Sequence, residues 1–307
     1  MHSSNKNQSK KHAGFWTHFA ISLTIVCGAL AANFSAKAQS RHDSFSVEVS
    51  GSGKPVLMIP GLMSDARVWR PTAEALAGQY QLHLISIAGF AGSPAIEGAL
   101  LPKVKQQLLN YIREQKLDKP AVIGHSLGAF MAFDLASSAP ELIGTVVAVD
   151  GLPYLAPVFT RSANTTVAMM QQQAGFLRQQ YQQMSREQLR AMTAQGLFIQ
   201  AGSEEAQQQV LSMAQASNPA AAGQAIYELL TTDLRSEVHR IQSPVVLLGA
   251  AGALSSDAER DAAKALYQQQ ISTIASAKLV FNTEARHFIM LDQPDWLLAQ
   301  IRSALQE

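Results

Sequence analysis

Ser126 stands in the run GHSLG (residues 124–128), which fits the pattern Gly-x-Ser-x-Gly. An apolar stretch typical of a buried strand, residues 121–123, precedes this run, and a helical pattern follows it. A sharp strand-to-helix turn of this kind strains the serine backbone and leaves the hydroxyl exposed beside the free N–H groups of the helix. The sequence therefore predicts that Ser126 is a nucleophile for acyl transfer.

A serine hydroxyl is a weak nucleophile near neutral pH, so a general base must lie within hydrogen-bond reach. His287 lies five residues beyond the last predicted strand and precedes the last predicted helix. A histidine on such a loop can reach back over the sheet to the serine. His125 lies inside the GHSLG run, and its side chain is expected to point away from the hydroxyl. We therefore predict that His287 is the general base.

The GHSLG run and the downstream run ARHFIMLDQP (residues 285–294) together resemble the α/β-hydrolase superfamily, in its esterase- and lipase-like branch with a helical cap. The resemblance extends over about residues 44–305. The sequence departs from the family pattern at Pro60, where the family usually has His, and at Ser86, where it usually has Asp. Neither departure touches the reacting groups directly.

This resemblance implies a Ser–acid–His order along the chain and an oxyanion hole formed by backbone N–H groups. It places that oxyanion hole at the N–H groups of Leu62 and Leu127. The family likeness implies a fold and a reaction type, but it implies no substrate.

The usual position of the triad acid holds a residue that cannot act as an acid. In most superfamily members the acid lies about three residues after the glycine that ends the penultimate strand, and here that residue is Gly252. Asp257 is the first acid beyond it, in a string that also suits a helix start. Asp150 directly follows the predicted strand 145–149, a position that some members use, and we prefer it. Asp233, or no acid at all, is the further alternative.

The elements that position these residues alternate along the chain, which predicts an α/β fold with a mostly parallel central sheet and helices on both faces. The predicted strands are residues 45–49, 55–59, 82–87, 121–124, 145–149, 245–249 and 278–282. The predicted helices are residues 69–77, 103–115, 127–138, 258–270 and 294–305.

The chain divides into four predicted segments. Residues 1–38 have the order of a secretory signal peptide, with an early lysine-containing part, an apolar run and a small-x-small site that ends at Ala38. Residues 39–152 and 236–307 form the two parts of the α/β-hydrolase core. Residues 153–235 contain no convincing strand, and we interpret them as a helical cap insertion of three or four helices.

Removal of residues 1–38 leaves 20 basic and 23 acidic residues and no cysteine, since Cys27 lies in the removed part. This balance gives no electrostatic support for nucleic-acid binding, and disulfides are excluded. We expect a periplasmic or secreted protein with no stable membrane anchor. An uncleaved anchor is the alternative, although the apolar run is short for a membrane span.

The predicted activity is hydrolysis of a small-molecule carboxylic ester, with an apolar acyl part, through an acyl-enzyme. A thioesterase, lactonase or perhydrolase could use the same site, and an inactive hydrolase fold that only binds is the alternative from another class. No metal-ligand spacing and no cofactor motif is present in the sequence, so we expect neither a metal nor a cofactor. Methionines of the insertion could line an acyl pocket or only pack against the sheet (Met169, Met170, Met184, Met192 and Met213).

Overall fold

The computed structural model describes residues 37–306, and most of the predicted signal peptide lies outside these residues. The described chain contains one eight-stranded sheet. Its strands are β1 (Lys37–Arg41), β2 (Phe45–Gly51), β3 (Lys54–Ile59), β4 (Tyr80–Ile87), β5 (Ala121–His125), β6 (Val146–Val149), β7 (Val245–Ala250) and β8 (Ala277–Asn282). Cleavage after Ala38, as predicted, would leave the last three residues of β1.

The strand order is β1-β2-β4-β3-β5-β6-β7-β8. Strand β2 pairs antiparallel with both of its neighbours, and the pairs from β4 to β8 are all parallel. The mostly parallel sheet predicted from the sequence is confirmed. All seven predicted strands are present; β1 was missed because its sequence, KAQSR, has no apolar alternation.

Helices cover both faces of the sheet, as alternate residues of one central strand show. Leu57 and Ile59 of β3 pack in the apolar core that also holds the buried residues of two helices, α2 (Leu101–Glu114) and α3 (Leu127–Ser138). Val56 and Met58 face the opposite core, with buried residues of α1 (Arg70–Leu76) and of the C-terminal helix, Pro294–Gln306. A parallel sheet needs this double cover, because its strands are apolar on both sides.

Six helices lie between β6 and β7, rather than the three or four predicted. They are α4 (Ala156–Thr160), α5 (Val167–Gln182), α6 (Arg186–Gln195), α7 (Leu197–Gln200), α8 (Glu204–Ala216) and α9 (Pro219–Thr231). Side-chain caps divide them: Thr166, Ser185, Ser203 and Asn218 each accept from a backbone N–H at a helix start. The side chains of Ser, Thr and Asn form hydrogen bonds with neighbouring backbone groups, so these residues favour helix starts and divide the segment into short helices.

The remaining helices are α10 (Asp257–Ile271), α11 (Ile289–Asp292) and α12 (Pro294–Gln306). Helix α10 follows β7, and α11 follows the loop after β8, so both begin near the carboxyl edge of the sheet. Within residues 37–306, each helix is too short or too polar to cross a lipid bilayer.

Candidate active site

Ser126 occupies the turn between β5 and α3, and its backbone is strained there. Its φ of 53° and ψ of −113° lie outside the regions that a residue with a side chain normally adopts. The small neighbours make the turn possible: a Cβ on Gly124 would lie 2.1 Å from the carbonyl oxygen of Gly128. A Cβ on Gly128 would lie 2.2 Å from the carbonyl oxygen of Ile59 in β3. Strain of this kind concentrates at functional sites.

Two backbone N–H groups were predicted to bind an oxyanion. Leu127 is the first residue of α3, and the first N–H groups of a helix have no intrahelical partner. Leu62 lies in the loop after β3, directly after Gly61. A Cβ on Gly61 would lie only 3.3 Å from the Cβ of Ser126, so this loop passes close to the serine. The structure therefore brings both predicted residues to the surroundings of Ser126.

His287 and Asp150 form a hydrogen-bonded pair. Nδ1 of His287 lies 2.6 Å from Oδ2 of Asp150. A carboxylate can only accept, so Nδ1 carries the hydrogen and the neutral ring leaves Nε2 as its proton acceptor. The side chain of Asp150 is only 8% exposed and that of His287 is 23% exposed. Burial strengthens this bond, since few water molecules compete for the carboxylate.

Hydrogen bonds hold both the backbone N–H of Asp150 and its second carboxylate oxygen in place. Its N–H donates to the carbonyl oxygen of Leu248 in β7, and its φ is 45°. Its Oδ1 accepts from the N–H of Ala250 and from the hydroxyl of Tyr267, each at 2.9 Å. The carboxylate thus presents one oxygen to the sheet and α10, and the other to His287.

Tyr267 is a residue of this site that sequence reasoning missed. Burial and the neighbouring Asp150 raise the pKa of the Tyr267 hydroxyl well above its usual value. The hydroxyl therefore stays protonated and donates to the carboxylate at every working pH. The residue lies in the last turns of the predicted helix 258–270, and only the tertiary contact of α10 with Asp150 singles it out.

The alternative acids are not brought to His287. Asp257 begins α10 with its side chain 96% exposed and pairs with Arg260 at 2.7 Å. Asp233 pairs with Arg235 at 2.6 Å. Gly252, the usual acid position, lies so close to the loop of His287 that a Cβ would be 2.2 Å from the carbonyl oxygen of Glu284. The structure thus leaves no room for a side chain at the usual position.

His125 forms a hydrogen bond with the loop of His287, a contact that was not predicted from the sequence. Its Nε2–H donates to the carbonyl oxygen of His287 at 3.0 Å, and the two rings lie 4.6 Å apart. Burial lowers the pKa of His125 well below its usual value, and the nearby His287 lowers it further. The ring is therefore neutral, with a buried Nδ1 that has no hydrogen-bond partner. The prediction that His125 points away from the hydroxyl of Ser126 agrees with this arrangement.

The cap contacts the same loop through its backbone. The carbonyl oxygens of Ile199 and Gln200 accept from the N–H groups of His287 and Phe288, at 3.2 and 2.8 Å. Asp292 accepts from the N–H groups on both sides of this junction, at Gly202 and Arg286. Helix α7 and the loop of His287 are therefore held together as one unit.

Ser126, Asp150 and His287 line one cavity of about 740 Å³. Its other walls are mostly apolar and come from α3, α4, α9 and α10, with a row of alanines along α10 (Ala258, Ala262, Ala263 and Ala265). None of the five methionines named above lines this cavity; Met170 and Met213 are buried in the packing of the cap. The hydroxyl of Ser126 forms no hydrogen bond with another described residue, so it is free to face a ligand.

The described residues contain no group of three or more His, Cys, Asp or Glu side chains placed to hold a metal ion. The arrangement contains a strained serine, a histidine oriented by a buried carboxylate, and N–H groups at a helix start. These are the parts that nucleophilic acyl transfer requires.

Comparison with known proteins finds a family match and similar esterases. The model of the alpha/beta hydrolase family matches residues 56–300. A pimeloyl-[acyl-carrier protein] methyl ester esterase of Aeromonas salmonicida (strain A449) is 33% identical over 112 residues, which are 36% of this chain and 42% of that protein. The match therefore spans less than half of that relative's length.

A second pimeloyl-[acyl-carrier protein] methyl ester esterase, from Vibrio atlanticus (strain LGP32), is 26% identical over 260 residues, 80% of this chain and 95% of that protein. Among solved structures, a hydrolase from Pseudomonas aeruginosa PA01 superposes with a TM-score of 0.71 at 20% identity, covering 90% of this chain and 100% of that chain. At this identity, the structural likeness shows the fold.

Proposed function

Because the chain belongs to the alpha/beta hydrolase family, we propose that it hydrolyses carboxylic esters through an acyl-enzyme formed on Ser126. The observation that carries this proposal is the hydrogen-bonded pair of Asp150 and His287, which share one cavity with Ser126. Two relatives named as methyl ester esterases support an ester as the substrate class.

In the proposed mechanism, Nε2 of His287 takes the proton of the Ser126 hydroxyl as its oxygen attacks the ester carbonyl. Asp150 holds the imidazole in the required tautomer and stabilises the imidazolium. The N–H groups of Leu62 and Leu127 bind the oxyanion of the tetrahedral intermediate. His287 then protonates the leaving alcohol, and a water molecule, activated by the same histidine, releases the acyl group.

The apolar walls of the cavity favour an apolar acyl part. The alanine row of α10 leaves space beside Ser126, and Leu152, Leu155 and Leu229 line the same cavity. Burial of a methylene group contributes about 0.8 kcal/mol, so each additional carbon that fits should strengthen binding of the acyl chain. Charged groups of the cavity are few, and the carboxylate of Glu259 is already bonded by the helix cap of α10.

Two experiments test this proposal. A fluorophosphonate probe should label the wild-type protein and fail to label Ser126→Ala, while Ser64→Ala provides a buried-serine control that keeps its label. Purified protein should then hydrolyse p-nitrophenyl esters of graded chain length with a preference for medium or long apolar chains. Labelling without turnover of any ester would redirect the activity to a thioester, lactone or peracid. Failure to label would favour a fold that only binds.

We further propose that the protein is exported, on the evidence of residues 1–38 of the sequence. The described residues begin at Lys37, and the proposal rests on the order of charge, apolar run and cleavage site in the sequence. It places the enzyme in the periplasm or the medium.

A further inference from the structure

Among the described residues, the exposed large apolar side chains are concentrated in one part of the cap. Six large apolar residues of the described chain are exposed, and all lie between residues 158 and 199 (Val158, Phe159, Met169, Phe176, Phe198 and Ile199). Four of them are at least 60% exposed. Single exposed apolar residues are ordinary, but their confinement to one segment indicates an interaction surface.

Part of this surface borders the catalytic cavity. Val158 of α4 and Ile199 of α7 are exposed and also line the cavity, so they form part of its rim. Phe159 and Phe198 are their sequence neighbours, with 67% and 60% exposure. Met169 and Phe176 lie seven residues apart, and so they share one face of α5. We call residues 156–200 the cap rim.

The cap rim is also the basic part of a protein that is otherwise acidic. It carries four arginines (Arg161, Arg178, Arg186 and Arg190) and one acid, Glu187, which gives a net charge of +3. The rest of residues 37–306 carries 17 basic and 21 acidic residues, a net charge of −4. Such a difference between segments concentrates the attraction for an anionic surface on the cap rim.

We propose that the cap rim docks reversibly on an anionic lipid surface, from which an apolar ester passes into the catalytic cavity. Exposed aromatic side chains beside arginines are typical of short helices that lie in the membrane interface. The arginines face anionic headgroups while the phenylalanines enter the boundary with the acyl chains. The passage of an ester rests on the proposed function; the docking does not.

Charge argues against a second copy of the chain as the occupant. A twofold dimer would place two cap rims together, and each carries a net charge of +3. Repulsion between like charges opposes that contact. An anionic lipid surface satisfies both the arginines and the apolar side chains.

Vesicle co-sedimentation of the mature protein tests the docking. We expect binding to vesicles of equimolar phosphatidylcholine and phosphatidylglycerol, weaker binding to phosphatidylcholine alone, and weakening by salt. The double variant Phe159→Ser/Phe198→Ser should bind at least about tenfold more weakly, since each substitution removes a large apolar side chain that docking would bury in the lipid. Arg186→Gln should weaken binding to anionic vesicles roughly fivefold, whereas the matched control Arg113→Gln on α2 should not.

Both phenylalanines are more than half exposed, so the double variant should keep the wild-type thermal midpoint. It should also keep the wild-type turnover of a water-soluble short-chain p-nitrophenyl ester, while losing turnover of an ester embedded in anionic vesicles. Vesicle binding by Ser126→Ala measures the docking even where no ester is turned over. Three results would each overturn the docking. The wild type could fail to bind the vesicles, the double variant could bind as well as the wild type, or the wild type could form a dimer that the double variant separates.

Discussion

Replacement of Asp150 by Asn tests the orientation of His287 without changing the size of the side chain. Oδ1 of Asp150 accepts two hydrogen bonds, from Ala250 N–H and Tyr267 O–H, whereas Oδ2 accepts from Nδ1 of His287. The amide oxygen of Asn must take the Oδ1 position, because both donors there need an acceptor. Its NH₂ group then faces Nδ1 and donates to it.

That donation forces His287 into the wrong tautomer. Nδ1 becomes the acceptor, so the hydrogen moves to Nε2, and Nε2 can no longer take the proton of the Ser126 hydroxyl. The expected loss of turnover is about 10⁴, the effect of the equivalent change in other serine hydrolases. The side chain keeps all three hydrogen bonds, and only the bond to Nδ1 of His287 exchanges its donor and acceptor. The fold should therefore survive the substitution.

The assay is kcat for a p-nitrophenyl ester, measured together with the thermal midpoint. Asp257→Asn is the control: it should cost about 1 kcal/mol of stability or less and leave turnover unchanged, because Asp257 is exposed at the start of α10. Tyr267→Phe keeps the bond between Asp150 and His287 and should lose far less activity than Asp150→Asn. A folded Asp150→Asn protein that loses less than about tenfold would refute the triad and favour a Ser–His dyad.

Four further predictions follow from the structure and the sequence. Ser126→Ala should lower turnover by about 10⁶ with an unchanged thermal midpoint, and activity above a few per cent would remove Ser126 as the nucleophile. His125→Phe keeps an aromatic ring at this position but loses the hydrogen bond to the His287 carbonyl. The value of kcat should fall by up to about 10² with little change in KM, and an unchanged kcat would deny His125 a positioning role. Burial lowers the pKa of His83 to about 4, so between pH 6.5 and 4 the unfolded chain binds a proton that the folded chain does not. As the pH falls through this range, the free energy of unfolding of the wild type should drop by about 3 kcal/mol more than that of His83→Gln, measured by urea unfolding. An equal dependence of the two unfolding free energies on pH would contradict this. Mass spectrometry of the exported protein should find a chain that begins at Gln39, and a full-length chain in the membrane fraction would favour the anchor.

The turn at Ser126 and most of the fold could be predicted from the sequence, because the signals for them are local. The turn at Ser126 needs glycine on both sides, a strand before it and a helix after it, and all of these signals lie within about twenty residues. The strands β5, β6 and β7 are continuous apolar runs because both of their faces are covered. Local pattern therefore sufficed for seven of the eight strands and for the strand-to-helix turn at Ser126.

The partners of His287 depended on contacts between residues far apart in the chain. Asp150 lies 137 residues from His287 and Tyr267 lies 117 residues from Asp150, so no local spacing connects them. Sequence reasoning ranked Asp150 above Asp257 from its place after a strand, but only the pairing of β6 with β7 and the packing of α10 put its carboxylate against the histidine. The hydrogen bond from His125 to the carbonyl oxygen of His287 and the contact of α7 with the loop of His287 likewise arise from tertiary packing. They join segments that are far apart in the chain, and no local sequence pattern connects them.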